Sequence, residues 1–160
     1  MDSIESTEAA SAASREPSRA ARAVDCHRQG YNCAQGVLIA FAGDMGLAES
    51  QAARLGAGLG GGVGQMREVC GAVVGASIAL GWINGGEDAP TPERKQSMYE
   101  SVRRVGEPFE QAEGTLNCMK LLGLTSRADP MPPMDERPCD RLIERAVTLL
   151  EAELGLDHER

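Results

Sequence analysis

Apolar residues recur at helical spacing along much of the chain, and no segment alternates strictly between apolar and polar residues as a half-buried strand does. The clearest apolar face lies near the C-terminus and comprises Leu142, Ile143, Ala146, Val147, Leu149, Leu150 and Leu154. Residues at these spacings share one side of a helix, which packs against a core. The pattern therefore predicts an all-α fold whose last helix begins at Pro138.

Residues that favour helix ends indicate where the other helices begin. Asn32, Ser50 and Thr91 are good N-caps, and Pro92 suits the first position of a long helix that we expect to end near Glu113. A first helix is predicted over 17–29 and a central buried helix over 67–82. The expected architecture is a single-domain bundle of five to six helices.

Seven residues from Gly58 to Gly64 include five glycines and precede the central helix. Such a run costs too much backbone entropy to remain helical, so we predict a Gly-rich turn here. Residues 56–61 formally match a dinucleotide-binding fingerprint, but that motif follows a strand, and this segment follows a predicted helix. We expect the glycines instead to let the backbone approach the cysteines closely.

Composition and charge narrow the classes of partner. The chain has a net charge of −8, an isoelectric point near 4.8 and only 3% aromatic residues. An acidic protein without a Lys/Arg cluster repels phosphate groups, so we expect neither nucleic-acid nor membrane-surface binding. The low aromatic content is typical of a helical core built from Ala, Leu, Val, Ile and Met.

The first 16 residues are rich in Ser, Ala and Glu and lack the basic and apolar regions of a secretory signal. We predict a disordered tail over 1–16 and one folded domain over 17–156. A cytoplasmic, reducing location is expected. In that environment cysteines serve more often as thiols, metal ligands or catalytic groups than as structural disulfides.

The chain has five cysteines, and no two of them form a Cys-x-x-Cys pair. Any site must therefore be assembled by the fold. Cys33, Cys118 and Cys139 are each predicted in the first turn of a helix, and Cys70 lies near the start of the central helix. Backbone N–H groups at a helix start favour a thiolate and lower the thiol pKa. The alternative is that these cysteines are small buried hydrophobic residues.

Several segments together resemble the family of redox-active proteins named for its C-GCAxxG-C-C pattern. They are Gly-Tyr-Asn-Cys-Ala-Gln at 30–35, the glycine turn leading into Cys-Gly-Ala-Val-Val-Gly at 70–75, the segment 114–118 with Leu-Leu-Gly at 121–123, and the late Cys139. The resemblance extends from about residue 20 to 154. It implies that Cys33, Cys70, Cys118 and Cys139 are the characteristic cysteines, with a redox or metal-binding role.

The resemblance and the cysteines leave three functions open. In the first, the four cysteines are catalytic in thiol–disulfide exchange, as in a thiol-dependent oxidoreductase, with a cellular reductant or electron-transfer partner. In the second, the same four are metal ligands for a [2Fe–2S] cluster or another thiolate-bound metal, a possibility strengthened by similarity to the cysteine-bearing part of the split-Soret cytochromes. In the third, the cysteines are inert in an interaction protein. Cys26 departs from the family pattern and is interpreted as a core residue in preference to an accessory thiol. His27 is interpreted as solvated.

Overall fold

The structure is a computed structural model that describes residues 15–156. Over this range the chain forms seven α-helices and no strand, so the fold is all-helical as predicted, with more helices than the expected five to six. The helices are α1 (Arg19–Arg28), α2 (Cys33–Ala40), α3 (Glu49–Gly56), α4 (Gly71–Asn84), α5 (Pro92–Glu113), α6 (Cys118–Leu121) and α7 (Cys139–Leu154), with a 3-10 turn at Met134–Glu136. Most of the predicted tail, residues 1–14, lies outside the described residues.

Two of the predicted N-caps are present. The side chain of Asn32 accepts a hydrogen bond from the backbone N–H of Gln35 at 2.8 Å, and the Gln35 side chain accepts one from the N–H of Asn32 at 3.0 Å. This reciprocal capping box satisfies two backbone donors at the start of α2. Thr91 likewise accepts from the N–H of Arg94 at 3.2 Å at the start of α5.

The predicted cap at Ser50 is wrong. Helix α3 begins one residue earlier than Ser50, at Glu49, with Ala48 as its N-cap residue. The side chain of Gln51 accepts a hydrogen bond from the N–H of Ala48 at 2.9 Å. The glutamine thus provides the cap that the alanine lacks.

The central helix α4 begins at Gly71, four residues later than predicted. The preceding turn is longer than its glycines suggest, because Val63, Gln65 and Arg67 also have left-handed φ values, of 63°, 60° and 61°. Left-handed backbone is costly for side chains of this kind, above all for a β-branched residue. Since residues 61–67 are held in this turn, a right-handed helix can begin only beyond them.

Helix α2 packs against α1, α3, α4 and α7, and α7 also packs against α1, α4 and α5. The largest fully buried side chains include Phe41, Phe109, Leu38, Leu80, Ile143 and Leu150. Gly75 lets α4 approach the start of α2, since a Cβ there would lie 2.9 Å from the carbonyl oxygen of Ala34. This close packing places the first residues of α2 and α4 side by side.

None of the helices between residues 15 and 156 combines the length and apolar character needed to cross a bilayer.

Candidate thiol site

Four helix starts meet at one place in the fold. Cys33, Cys118 and Cys139 are the first residues of α2, α6 and α7, and Cys70 is the N-cap residue of α4. The side chains of all four line a cavity of about 20 Å³, which is otherwise lined by Gly61, Gly62, Gly71, Leu121, Leu122, Met131 and Leu142. Cys26 is not among the residues that line it and lies in the core of the bundle, with 1% of its surface exposed.

A short backbone pairing brings Cys70 and Cys118 to the same wall of the cavity. Val69 and Asn117 form an isolated antiparallel bridge. On either side of it, the N–H of Cys70 donates to the carbonyl of Leu116 at 2.8 Å, and the N–H of Cys118 donates to the carbonyl of Glu68 at 2.6 Å. The bridge therefore fixes the end of the glycine turn against the start of α6.

Cys33 and Cys139 lie at the opposite side, close to a histidine. A ring nitrogen of His27 and the sulfurs of Cys33 and Cys139 all lie within 4.8 Å of one another, so these three residues could hold a metal ion. Within residues 15–156, no comparable group of His, Cys, Asp and Glu ligand atoms includes Cys70 or Cys118. The four cysteines thus share a cavity, and only two of them have sulfurs in such a group.

The same pair also borders an open cleft, although Cys139 is buried, with 5% of its surface exposed, and Cys33 is half-buried. Cys33, Cys139 and His27 line an open cleft of about 440 Å³, together with Tyr31, Met131, Met134, Arg137 and residues of the glycine turn. Cys70 and Cys118 are not among its lining residues. The Cys33–Cys139 pair therefore separates the inner cavity from a solvent-accessible cleft.

His27 was expected to be solvated, and the structure places it in the interior with 4% of its surface exposed. Its Nδ1 lies 3.1 Å from Oδ1 of Asp140, and the other oxygen of Asp140 accepts a hydrogen bond from Nε of Arg28 at 2.9 Å. A signal for this burial is present in the sequence. His27 continues the apolar stripe of α1 at helical spacing from Ala23 and Val24.

Of the four thiols at helix starts, only Cys139 has a lowered pKa. A hydrogen bond from the thiol of Cys33 favours the ionised form of Cys139, and the nearby Arg137 acts in the same direction against the effect of burial. The same hydrogen bond raises the pKa of Cys33, because Cys33 must keep its proton to donate it, and burial and the other thiols raise it further. When the pair loses its first proton, Cys139 is therefore the residue that ionises, and Cys33 keeps its proton.

The expected lowering is wrong for the two inner thiols. Burial raises the pKa of Cys70 to about 12, although the backbone N–H groups of Ala72 and Val73 oppose it. Burial also raises the pKa of Cys118, against the effect of the Arg67 guanidinium beside it. Loss of hydration destabilises a thiolate here more than the helix starts and the cation stabilise it.

Arg67 is a charged side chain in an apolar setting, with 5% of its surface exposed. Its Nη1 lies 3.7 Å from the sulfur of Met131, and its buried Nε has no hydrogen-bond partner among the described residues. No carboxylate of residues 15–156 forms an ion pair with it. A buried cation without a carboxylate is costly, and the sulfurs of Met131 and Cys118 lie beside this one.

Comparison with known proteins gives one match. A family model described as "Putative redox-active protein (C_GCAxxG_C_C)" matches residues 31–153, a range that contains all four cavity-lining cysteines and excludes His27. No curated protein matches the chain. No solved structure matches it either.

Proposed function

Because the chain belongs to the C_GCAxxG_C_C family, we propose that it carries out thiol–disulfide exchange at Cys33 and Cys139. The observation that carries the proposal is the proximity of these two sulfurs at the border between the inner cavity and the open cleft. Once Cys139 has ionised, the pair contains both a thiolate to attack and a thiol to resolve the product. This proposal assigns the redox role to two of the four cysteines.

The exchange proceeds in two steps. The thiolate of Cys139 attacks a substrate disulfide, a mixed disulfide forms on Cys139, and one substrate sulfur leaves as a thiolate. Cys33 then gives its proton to solvent in the cleft and attacks the Cys139 sulfur, which releases the second substrate thiolate. Two electrons pass from the cysteine pair to the substrate, and a cellular dithiol reductant returns them by the reverse exchange.

Cys70 and Cys118 have a different part in this proposal. Their raised pKa values keep them as neutral thiols near neutral pH, and neither is among the residues that line the open cleft. Cys33 also has a raised pKa, so its place on the cleft is what distinguishes the resolving thiol from these two. We therefore assign them to the wall of the cavity rather than to the exchange.

The alternative function is a [2Fe–2S] module held by all four thiolates. The four sulfurs that such a cluster requires all line the inner cavity. A [2Fe–2S] cluster needs thiolates at all four positions, whereas burial raises the pKa of Cys70 and of Cys118. The close group of ligand atoms also contains only Cys33 and Cys139 of the four cysteines, so we favour the two-thiol exchange over the cluster.

The proposed exchange is tested on reduced protein titrated anaerobically with oxidised glutathione, with the products mapped by peptide mass spectrometry. The wild type is expected to form one Cys33–Cys139 disulfide. Cys33→Ser should stop at a mixed disulfide between Cys139 and glutathione, because the resolving thiol is missing. Cys139→Ser should form neither product at normal rate.

Cys26→Ser and Cys70→Ser are the matched controls, since each removes one buried thiol outside the proposed pair. Both are expected to form the Cys33–Cys139 disulfide as the wild type does. Glutathione on Cys70 or Cys118 in Cys33→Ser, or a wild type in which all thiols stay reduced, would contradict the proposal.

A further inference from the structure

We propose that His27, Cys33 and Cys139 form a mononuclear site for a divalent metal ion of the zinc class, with its fourth position open to the cleft. The three ligand atoms lie within 4.8 Å of one another. In a tetrahedral site with Zn–S near 2.3 Å and Zn–N near 2.0 Å, ligand atoms lie roughly 3.4–3.8 Å apart. Shifts of about an ångström therefore complete the geometry.

Asp140 prepares His27 for this role. Its carboxylate is placed to accept the Nδ1 proton of His27, at 3.1 Å, which leaves the Nε2 lone pair available for a metal. Metal-binding histidines commonly have such a carboxylate partner, which sets the tautomer and the ring orientation. Arg28 holds the second carboxylate oxygen at 2.9 Å, so the orientation of Asp140 is itself fixed.

The burial of His27 supports a metal-binding role. It has 4% of its surface exposed in a stripe otherwise made of apolar residues, and it lies outside the range matched by the family model. A buried imidazole costs free energy unless its polar atoms are satisfied. Asp140 is the partner of Nδ1, and the ring lines the open cleft beside Cys33 and Cys139, where a metal ion can reach it.

The charges and the surroundings suit a soft divalent ion. Two thiolates neutralise its charge, and thiolate with imidazole is a ligand set that zinc prefers. Cys33 and Cys139 are each the first residue of a helix, of 8 and 16 residues, so the two helices fix the positions of both sulfurs. The open cleft of about 440 Å³ provides an entry path and room for a solvent ligand.

Metal binding at this site should block the proposed disulfide exchange. Only this expectation rests on the proposed function. A bound metal occupies both sulfurs that would form the disulfide. Zinc-loaded protein should therefore resist oxidation by glutathione disulfide, and oxidation should release the ion.

The test measures Zn²⁺ affinity in reduced, metal-free protein by competition with a chromophoric chelator, with Co²⁺ as a spectroscopic probe. One ion per chain is expected, and the Co²⁺ spectrum should show tetrahedral bands with charge transfer from two thiolates. His27→Gln and Cys33→Ser should each lose more than about 100-fold in affinity. Asp140→Asn should lower the Zn²⁺ affinity about 10- to 100-fold, as is typical when the carboxylate that hydrogen-bonds a metal-binding histidine is replaced.

Cys70→Ser is the matched control, because it removes a thiol from the same cavity but outside the ligand set, and it should bind Zn²⁺ as the wild type does. No binding, or binding lost in Cys70→Ser and kept in His27→Gln, would overturn the site. If a variant does not fold, the wild-type Co²⁺ spectrum still tests the ligand set. Charge transfer from four thiolates instead of two would overturn the proposed site.

The same variants separate this proposal from the exchange. His27→Gln keeps both sulfurs, so it should still form the Cys33–Cys139 disulfide while losing metal. A wild type that binds Zn²⁺ through this ligand set but forms no disulfide would remove the exchange and leave the metal site. A wild type that forms the disulfide and binds no Zn²⁺ would remove the metal site alone.

Discussion

Gly62 lies so close to Cys118 that a Cβ atom on Gly62 would be 2.6 Å from the Cβ atom of Cys118. The same hypothetical atom would lie 2.6 Å from the backbone nitrogen of Glu68. The glycine turn therefore forms one wall of the cysteine cavity, and its backbone occupies the place that a side chain would take. Sequence reasoning anticipated this close approach, since only a residue without a side chain permits it.

Gly62→Ala should destabilise the protein more than Gly64→Ala. Both glycines have positive φ, of 71° and 55°. The nearest atom to a Cβ at Gly64, however, would be the carbonyl oxygen of Gly58, at an ordinary contact distance of 3.7 Å. Gly64→Ala should therefore show the left-handed strain alone, roughly 1–2 kcal/mol. Gly62→Ala adds an overlap with backbone that cannot move aside cheaply. Urea unfolding measures the free energy of unfolding of both variants. Equal losses of stability would show that the structure relieves the overlap at Gly62.

Stability should fall at alkaline pH because of Cys70. Its folded pKa of about 12 lies above its ordinary value of 9.0. The unfolded chain therefore loses this proton first, and the free energy of unfolding decreases between these two values. For one thiol the free energy of unfolding decreases by about 1.4 kcal/mol per pH unit in this range. The stability that the Cys70 thiol contributes is therefore fully present below pH 9 and is lost above it.

Cys70→Ala tests this contribution by removing the titrating group. Its free energy of unfolding should fall less steeply than that of the wild type between pH 9 and 11. Cys139→Ala is the control, because the folded pKa of Cys139 is lowered. Parallel curves for Cys70→Ala and the wild type would contradict the assignment.

Arg67→Met should raise the pKa of Cys118 further. The guanidinium lowers this pKa against the larger effect of burial, and methionine fills similar space without charge. Alkylation of Cys118, followed site by site with mass spectrometry, should shift to higher pH. Arg67→Lys keeps a cation and should shift less. An unchanged profile in Arg67→Met would mean that the cation does not act on this thiol.

Much of the fold could be predicted because it depends on local chemistry. Asn32 and Thr91 cap their helices through their own side chains, and the positions of Cys33 and Cys139 at helix starts follow from the residues before them. The start of α4 could not be predicted in this way. Arg67 adopts a left-handed φ that its residue type disfavours, and backbone hydrogen bonds within the turn hold it there.

The candidate site was less predictable, because burial depends on tertiary packing. A helix start predicts a lowered thiol pKa, yet Cys70 is so poorly hydrated that its pKa rises. His27 was assigned to solvent, although its spacing from Ala23 and Val24 indicates the buried face of α1. Its partner Asp140 is 113 positions away, and no local pattern connects two residues at that separation.

The lowered pKa of Cys139 should depend on a hydrogen-bond donor at position 33. The thiol of Cys33 is the largest contributor to this lowering, so Cys33→Ala should raise the pKa of Cys139. Cys33→Ser keeps an O–H donor of similar size and should raise it less. The pH dependence of Cys139 alkylation in metal-free protein measures both shifts, with Cys26 as an internal reference. Identical profiles for the alanine and serine variants would mean that the donor at position 33 has no effect, and that Arg137 and the start of α7 alone set this pKa.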